Sequence, residues 1–400
     1  MKIDDNLVLG LDIGSTKICA AICEIDRYSD LSLKGIGHSI SSGIHKGKIE
    51  DPRELLRSIE RAIRRAQMSA GASSAKVFLN CPFAGIGFAY NSGIVMGKEE
   101  NGIISLSDKT ECINRSKTLV KTGEQTIMHA IPLFYKVDQK MVQNPVGMVG
   151  KNLEVYTHLV LGNTDNITIL TKLIRQLNLQ VKGLIYDPLA MAQVYLSDLD
   201  RRDGSLLLDI GGRFSKLNVF KNNLLQKSLV IPIGGETITA DIAACLKVTV
   251  PEAERLKILY GTLDISSIGQ HETIEITSKE TGRTDIKKML LCQIIEARVS
   301  ELLKIAKKQI KFDFGKTYPL VLAGNGSQLK GLQPYLLQNL GLPVREHIPE
   351  TMRNIIESPS HASAIGLVLY GVKNQAVGFV DQQKKTWLGK MIDWFLPSSS

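Results

Sequence analysis

The chain has 400 residues, 44% hydrophobic and 22% charged, an ordinary globular composition that excludes disorder over most of the length and calls for two or more domains. Its 49 Lys and Arg against 40 Asp and Glu leave a net charge of +9, which permits an anionic partner but selects none. The six cysteines show no C-x-x-C spacing and no histidine cluster, which argues against a zinc site or a disulfide framework.

In chain order, MKIDDNLVLG carries acids and lacks the apolar core of a signal peptide, and no apolar run reaches the ~18 residues of a membrane span. A reducing cytoplasm is the expected compartment. Leu7–Gly14 (LVLGLDIG) and the apolar stretch Lys17–Ile25 read as strand, glycine turn and strand, a β-hairpin. Cys19 and Cys23, four apart in ICAAIC, are expected on one strand face as small buried hydrophobes. Asp51-Pro52 opens a helix as N-cap and N1. Leu55, Leu56, Ile59, Ala62, Ile63 and Ala66 mark its buried face, and Gly71 its end. The Arg61/Arg64/Arg65 cluster on that helix reads as a solvated face; without interleaved aromatics it predicts no nucleic-acid binding.

Val77–Asn80 reads as a strand. Between Pro82 and Gly162 the helix-strand rhythm weakens, which predicts an inserted small α+β unit. A helix over Asn166–Leu177 and a strand over Val181–Ile185 follow. Ser205–Gly212 (SLLLDIGG) then repeats the opening phrase and continues into Lys216–Phe220. Two such hairpins half a chain apart predict duplicated halves facing each other across a cleft. Helices are expected at Glu252–Tyr260 and Leu290–Ile310, within or after a second insertion from Val230 to about Ser300. Tyr318–Leu322 reads as a strand running into Ala323-Gly324-Asn325-Gly326. Alternating strands and helices point to a doubly wound α/β architecture. His129 and His271 have no metal-ligating company and are expected to be structural or exposed.

A Gly, Ser and Thr turn after an Asp lets backbone N–H groups approach phosphate oxygens with no Cβ in the way. Ser15 and Thr16 add hydroxyl donors and Lys17 a point charge. Asp12 and Asp209, at the ends of facing strands, are placed to hold a hydrated Mg²⁺.

Lys373–Gln383 is polar and reads as a linker. Lys384–Leu396 (KKTWLGKMIDWFL) follows, with Trp387, Leu388, Met391, Ile392, Phe395 and Leu396 on one helical face, and Lys384, Lys385, Lys390 and Asp393 mainly on the other. With Trp394 it contains both tryptophans of the protein. It is too short to span a bilayer but suited to lie in the interface of an anionic membrane. Docking on the protein's own core is the alternative.

The order LDIGSTK, LDIGG, IGGE (Ile233–Glu236) and VLAGNGSQLKGL (Val321–Leu332) resembles the actin-like ATPase superfamily. Within it, HAIPLFYKVD followed by QNPVGMVG, the stretch GGETITADIA (Gly234–Ala243) and the aromatic tail are similar to the bacterial cell-division family FtsA, over nearly all of residues 5–396. The resemblance implies an actin-like (ribonuclease H-like) two-lobe ATPase fold with an inserted small α+β subdomain and a C-terminal amphipathic helix. It implies a first lobe from 1–82 and 162–198, the family's insert at 83–161, a second lobe from 199–229 and 302–372, a subdomain at 230–301, a linker at 373–383 and a membrane-targeting tail at 384–400. Gly14, Ser15, Thr16 and Lys17 would form the first phosphate loop, and Gly211 and Gly212 the second, with Asp12 and Asp209 flanking the metal. Gly234, Gly235 and Glu236, with Gly324, Asn325, Gly326 and Ser327, would line the nucleoside, and Glu254 and Lys257 would sit near adenine and ribose. ATP and Mg²⁺ are the implied cofactors. Trp387, Leu388, Lys390, Met391, Ile392, Trp394 and Phe395 would bind membrane, and Arg298 and Glu301 would lie where the tubulin-like protein FtsZ docks.

Three departures from the family pattern stand out. Arg213, Phe214 and Lys216 replace a glycine, a hydroxyl donor and an acid in the second loop; Asn325 replaces a common glycine; and Cys81-Pro82-Phe83-Ala84 opens the insert. Arg213 is a candidate source of charge for phosphates. No positioned base for an attacking water is evident, so nucleotide binding with at most weak hydrolysis is expected. The implied function is a membrane tether for FtsZ filaments on the cytoplasmic face of the inner membrane, at the septum. Expected partners are the FtsZ C-terminal peptide, other copies of the chain, later division proteins and an anionic membrane surface. A sugar-kinase-like phosphotransferase and a pilus-assembly actin homologue remain as alternatives.

Overall fold

The computed structural model describes residues 6–26, 31–45, 47–81, 85–97, 102–118, 123–309, 318–345 and 348–375. The expected tail at 384–400 lies outside them, as do residues 376–383 of the expected linker; the first three residues of that linker end the last helix.

The chain opens with β1 (Leu7–Ile13), β2 (Lys17–Ile25) and β3 (Leu31–Ile40), an antiparallel meander, then the short strands β4 (Ile44–His45) and β5 (Lys48–Ile49). Helix α1 (Pro52–Ala70) starts where Asp51 accepts the N–H groups of Arg53 and Glu54 at 2.9 and 3.0 Å, and stops at Gly71 with φ 66°. Its apolar stripe packs under the sheet, and β6 (Lys76–Asn80) then pairs parallel to β1. Cys19 and Cys23 are both buried in one core, as their spacing predicts.

The insert contains β7 (Gly87–Met96), α2 (Leu106–Thr118), β8 (Gln125–Val137), β9 (Lys140–Val142) and β10 (Asn152–Asn163), with sheet order β7-β10-β8-β9 and a small core of its own. It is fastened on two sides. His129 accepts the N–H of Tyr186 at 2.9 Å, while Tyr90 Oη donates to the Gln226 carbonyl at 2.9 Å and His158 Nδ1 lies 3.2 Å from the Leu225 carbonyl.

After α3 (Thr164–Gln176), β11 (Gln180–Ile185), α4 (Asp187–Tyr195) and α5 (Asp198–Asp203), the opening pattern recurs. β12 (Ser205–Ile210), β13 (Ser215–Lys221) and β14 (Leu224–Ile231) form a second meander. Next come α6 (Gly235–Cys245), α7 (Val250–Tyr260), the hairpin β15 (Thr273–Ser278) and β16 (Gly282–Lys287), and the long α8 (Lys288–Gln309). The boundary expected at 301 falls inside α8. Then β17 (Leu320–Ala323), α9 (Leu332–Leu340), β18 (Val344–Arg345), α10 (Glu350–Arg353) and α11 (Pro359–Gln375) complete the described chain.

The two large sheets have matching orders, β3-β2-β1-β6-β11 and β14-β13-β12-β17-β18. In each, an antiparallel meander is extended by two parallel strands on the side of its first strand. This is the duplication that the repeated Asp-Ile-Gly phrase predicts.

One assignment is corrected. Helix α11, expected in the second lobe, packs across β1, β2 and α4 of the first. Small residues allow it: Gly10 lies against the Ala364 carbonyl, and Gly366 against that of Ala190, where a Cβ has no room. Leu207, Val321, Ala364 and Val368 share a core with Val8 and Phe78, so one apolar cluster spans both halves.

Candidate functional site

The two Asp-Ile-Gly turns close identically. Gly14 N–H donates to the Lys17 carbonyl at 2.9 Å, and Gly211 N–H to the Phe214 carbonyl at 3.1 Å. A third turn docks on the second: Gly235 and Glu236 N–H groups reach the Gly211 and Gly212 carbonyls at 2.9 and 2.7 Å. A Cβ on Gly234 would lie 2.7 Å from the Gly211 carbonyl oxygen, so only glycine fits there. Gly324, with φ 80°, presses on Asp209, and Gly326 on Ile210.

These turns meet at one cleft of about 1020 Å³. Thr16, Gly211, Gly212, Gly234, Gly235, Glu236, Glu254, Lys257, Asn325 and Gly326 line it. Val250, Ile258, Val299 and Leu336 supply apolar wall, and Ser358 and Ser360 close it from the start of α11. Among the other expected residues, Gly14, Ser15 and Lys17 belong to the first turn behind this lining. Lys17 donates to the Ser360 carbonyl at 3.0 Å. Ser327 is buried and donates to the Gly324 carbonyl at 2.8 Å, closing the fourth turn.

Glu236, Glu254 and Lys257, which line the cleft, are each in an ion pair. Lys257 donates to Glu254 at 2.7 Å, to the Gly235 carbonyl at 3.0 Å and to Thr239 at 2.7 Å, tying α7 to the start of α6. Arg213 does not point free charge at the cleft: its Nε and Nη2 donate to Glu236 at 3.1 and 3.0 Å. The expectation that Arg213 supplies phosphates with charge is set aside in favour of this ion pair.

Asp12 and Asp209 are half-buried and outside the lining. Asp12 accepts from Asn80 Nδ2 at 2.6 Å, and Asn80 Oδ1 accepts the Ile13 N–H at 2.8 Å. Desolvation, with Asp187 as a like charge, pushes the Asp12 carboxyl up to about 7. Desolvation also raises Asp209. Lys216 is bonded to Asp187 and lies opposite Asp209 across the β12–β13 ladder. Among the described residues no group of three or more His, Cys, Asp or Glu side chains is arranged to hold a metal. Asn80 and Asp187 are the residues that sequence reading missed. Asp187 carries no local motif that singles it out, and Asn80 reads only as the last residue of a strand.

On α8, Arg298 donates to Asp241 at 2.6 and 2.9 Å and to Glu301 at 2.6 Å. None of the three lines the cleft.

Comparison with known proteins gives the family. The family model described as "Cell division protein FtsA" matches residues 206–366, and that described as "SHS2 domain inserted in FTSA" matches 85–161, the insert built here from β7 to β10. The chain belongs to the FtsA family. Among FtsA proteins it is 27% identical to that of Pseudomonas aeruginosa over 93% of this chain and 91% of the relative. It is 26% identical to that of Escherichia coli K12 and 28% to that of Borreliella burgdorferi, each over 98% of both chains. Solved structures agree in fold. The "PilM-PilN type IV pilus biogenesis complex" matches with TM-score 0.65 at 18% identity, over 91% of this chain and 98% of that one. MreB5 of Spiroplasma citri bound to AMPPNP matches with TM-score 0.51 at 13% identity, over 98% and 100%. At these identities the likeness concerns the actin-like fold alone. The two FtsA family models, and not the fold, favour this family over the pilus-assembly alternative, since the PilM-PilN structure matches 91% of this chain. Among the described residues of this FtsA-family chain, no helix is long and apolar enough to cross a membrane.

Proposed function

We propose that this chain is a nucleotide-binding, actin-like division protein that tethers FtsZ filaments to the cytoplasmic face of the inner membrane at the septum, associates with itself and recruits later division proteins. The observation that carries the nucleotide half is the convergence of four glycine turns on one cleft. Their backbone suits a triphosphate near Thr16 and Gly212. Glu254, Lys257 and the apolar wall suit adenosine deeper in. The nucleotide-bound state of the MreB5 relative supports the same reading. A ligand gripped by both lobes favours closure to the extent that it binds the closed state more tightly, and closure would control self-assembly. Of the two expected cofactors, ATP fits this cleft; Mg²⁺ at Asp12 and Asp209 meets the ammonium of Lys216.

The membrane half rests on the sequence of 384–400, an amphipathic aromatic segment whose attachment would be reversible singly and strengthened by polymerisation. Purified full-length protein, FtsZ, ATP and anionic vesicles are sedimented together to test it. FtsZ is expected to pellet with vesicles only when this protein is present. FtsZ left in the supernatant under those conditions would discard the tether.

A further inference from the structure

The two hairpins differ at the position facing the aspartate. Across β1–β2, Asp12 faces Cys19; across β12–β13, Asp209 faces Lys216. Residues paired in this way project to the same sheet face with Cβ atoms about 5 Å apart. The Lys216 ammonium also bonds Asp187 Oδ2, with side chains only 16% and 9% exposed. The second oxygen, Asp187 Oδ1, is buried with no hydrogen-bond partner. The ammonium is thus bonded to one carboxylate, Asp187, and paired across the ladder with a second, Asp209. Burial opposes the lysine charge, but Asp187 and Asp209 outweigh it and hold its proton above the ordinary lysine range.

Mg²⁺ demands oxygen ligands in near-octahedral array and keeps several waters. An ammonium already bonded to one carboxylate and facing another fills that space and repels a second cation. These residues do not fit a divalent ion between Asp12 and Asp209. We propose that Lys216 is a built-in counter-cation replacing the protein-held metal, so that the chain takes a nucleoside triphosphate without needing Mg²⁺ at its two aspartates. The nucleotide part rests on the cleft reading above; the statement about the metal stands without it.

Mn²⁺ is titrated into the nucleotide-free full chain and followed by electron paramagnetic resonance. The native protein is expected to bind none at millimolar metal, while Lys216→Gln, which frees the carboxylates, gains a saturable site. Native binding that Asp209→Asn abolishes overturns the proposal, as does a folded Lys216→Gln chain that binds no Mn²⁺. Should Lys216→Gln not fold, the native titration still decides. Calorimetry of ATP with Mg²⁺ or with EDTA gives a second readout. Affinities within about fivefold are expected, and a larger loss in EDTA overturns the proposal. ATP that binds in neither condition removes the nucleotide reading, and the Mn²⁺ titration then decides the cation alone.

Discussion

Gly212 of the second hairpin turn lies against Thr16 of the first: a methyl group built on Gly212 would sit 2.9 Å from Thr16 Cγ2 and 3.0 Å from Ser15 Oγ. The two halves therefore touch at their glycine turns, at the mouth of the cleft. Gly212→Val forces the turns apart where the triphosphate is expected. ATP affinity by calorimetry should fall at least about tenfold, with little change in melting temperature because the clash is with side-chain tips. An affinity equal to the native one would take this turn out of the site.

His129 links insert to lobe only while neutral, because it accepts the Tyr186 N–H. Burial, with His158 as a lesser cause, pushes its pKa down to about 4 from 6.5. The unfolded chain then binds more protons than the native one between these values, so stability is lost as pH falls from about 6.5 to 4. The loss is about 3 kcal/mol. Urea unfolding at pH 7 and pH 4 should show this loss in the native protein and a markedly smaller one in His129→Gln, which keeps an acceptor without the titration.

Arg298 and Glu301 separate by what holds them. Arg298 is paired to Asp241 of α6, whereas half of the Glu301 side chain is exposed, at 51%. Arg298→Ala should lower both stability, by about 1–2 kcal/mol, and affinity for an FtsZ C-terminal peptide. Glu301→Arg should weaken the peptide about fivefold at unchanged melting temperature. If fluorescence anisotropy detects no change with Glu301→Arg, this face is not the docking surface.

Removal of 384–400 should leave the melting temperature unaltered and release the protein from anionic vesicles. Raised salt should do part of the same to the full chain, since each lysine near the surface contributes about 1 kcal/mol. Continued pelleting of the truncated chain would assign membrane binding to another surface.

Local chemistry was legible where it is written locally. The Asp51-Pro52 start and Gly71 stop of α1, the paired hairpins and the four glycine turns are each carried by a few adjacent residues. What escaped depends on partners distant in sequence. Lys216 reads as an anomaly in a phosphate loop until Asp187, 29 positions earlier, is brought to it. Arg213 reads as a phosphate ligand until Glu236 takes its guanidinium. The return of α11 to the first sheet was likewise hidden. Periodicity says which face of a helix is buried, not against which sheet, and the decisive small residues, Gly10 and Gly366, lie far apart in the chain.

The insert leaves the chain within the first half, yet Tyr90 and His158 fasten it to β14 of the second. Any rotation that parts the halves must strain or shift those bonds, while His129 keeps its grip on the other side. If a ligand in the cleft changes the angle between the halves, the insert has to tilt with them. A neighbouring molecule touching the insert would feel whether the crevice is filled without ever reaching it.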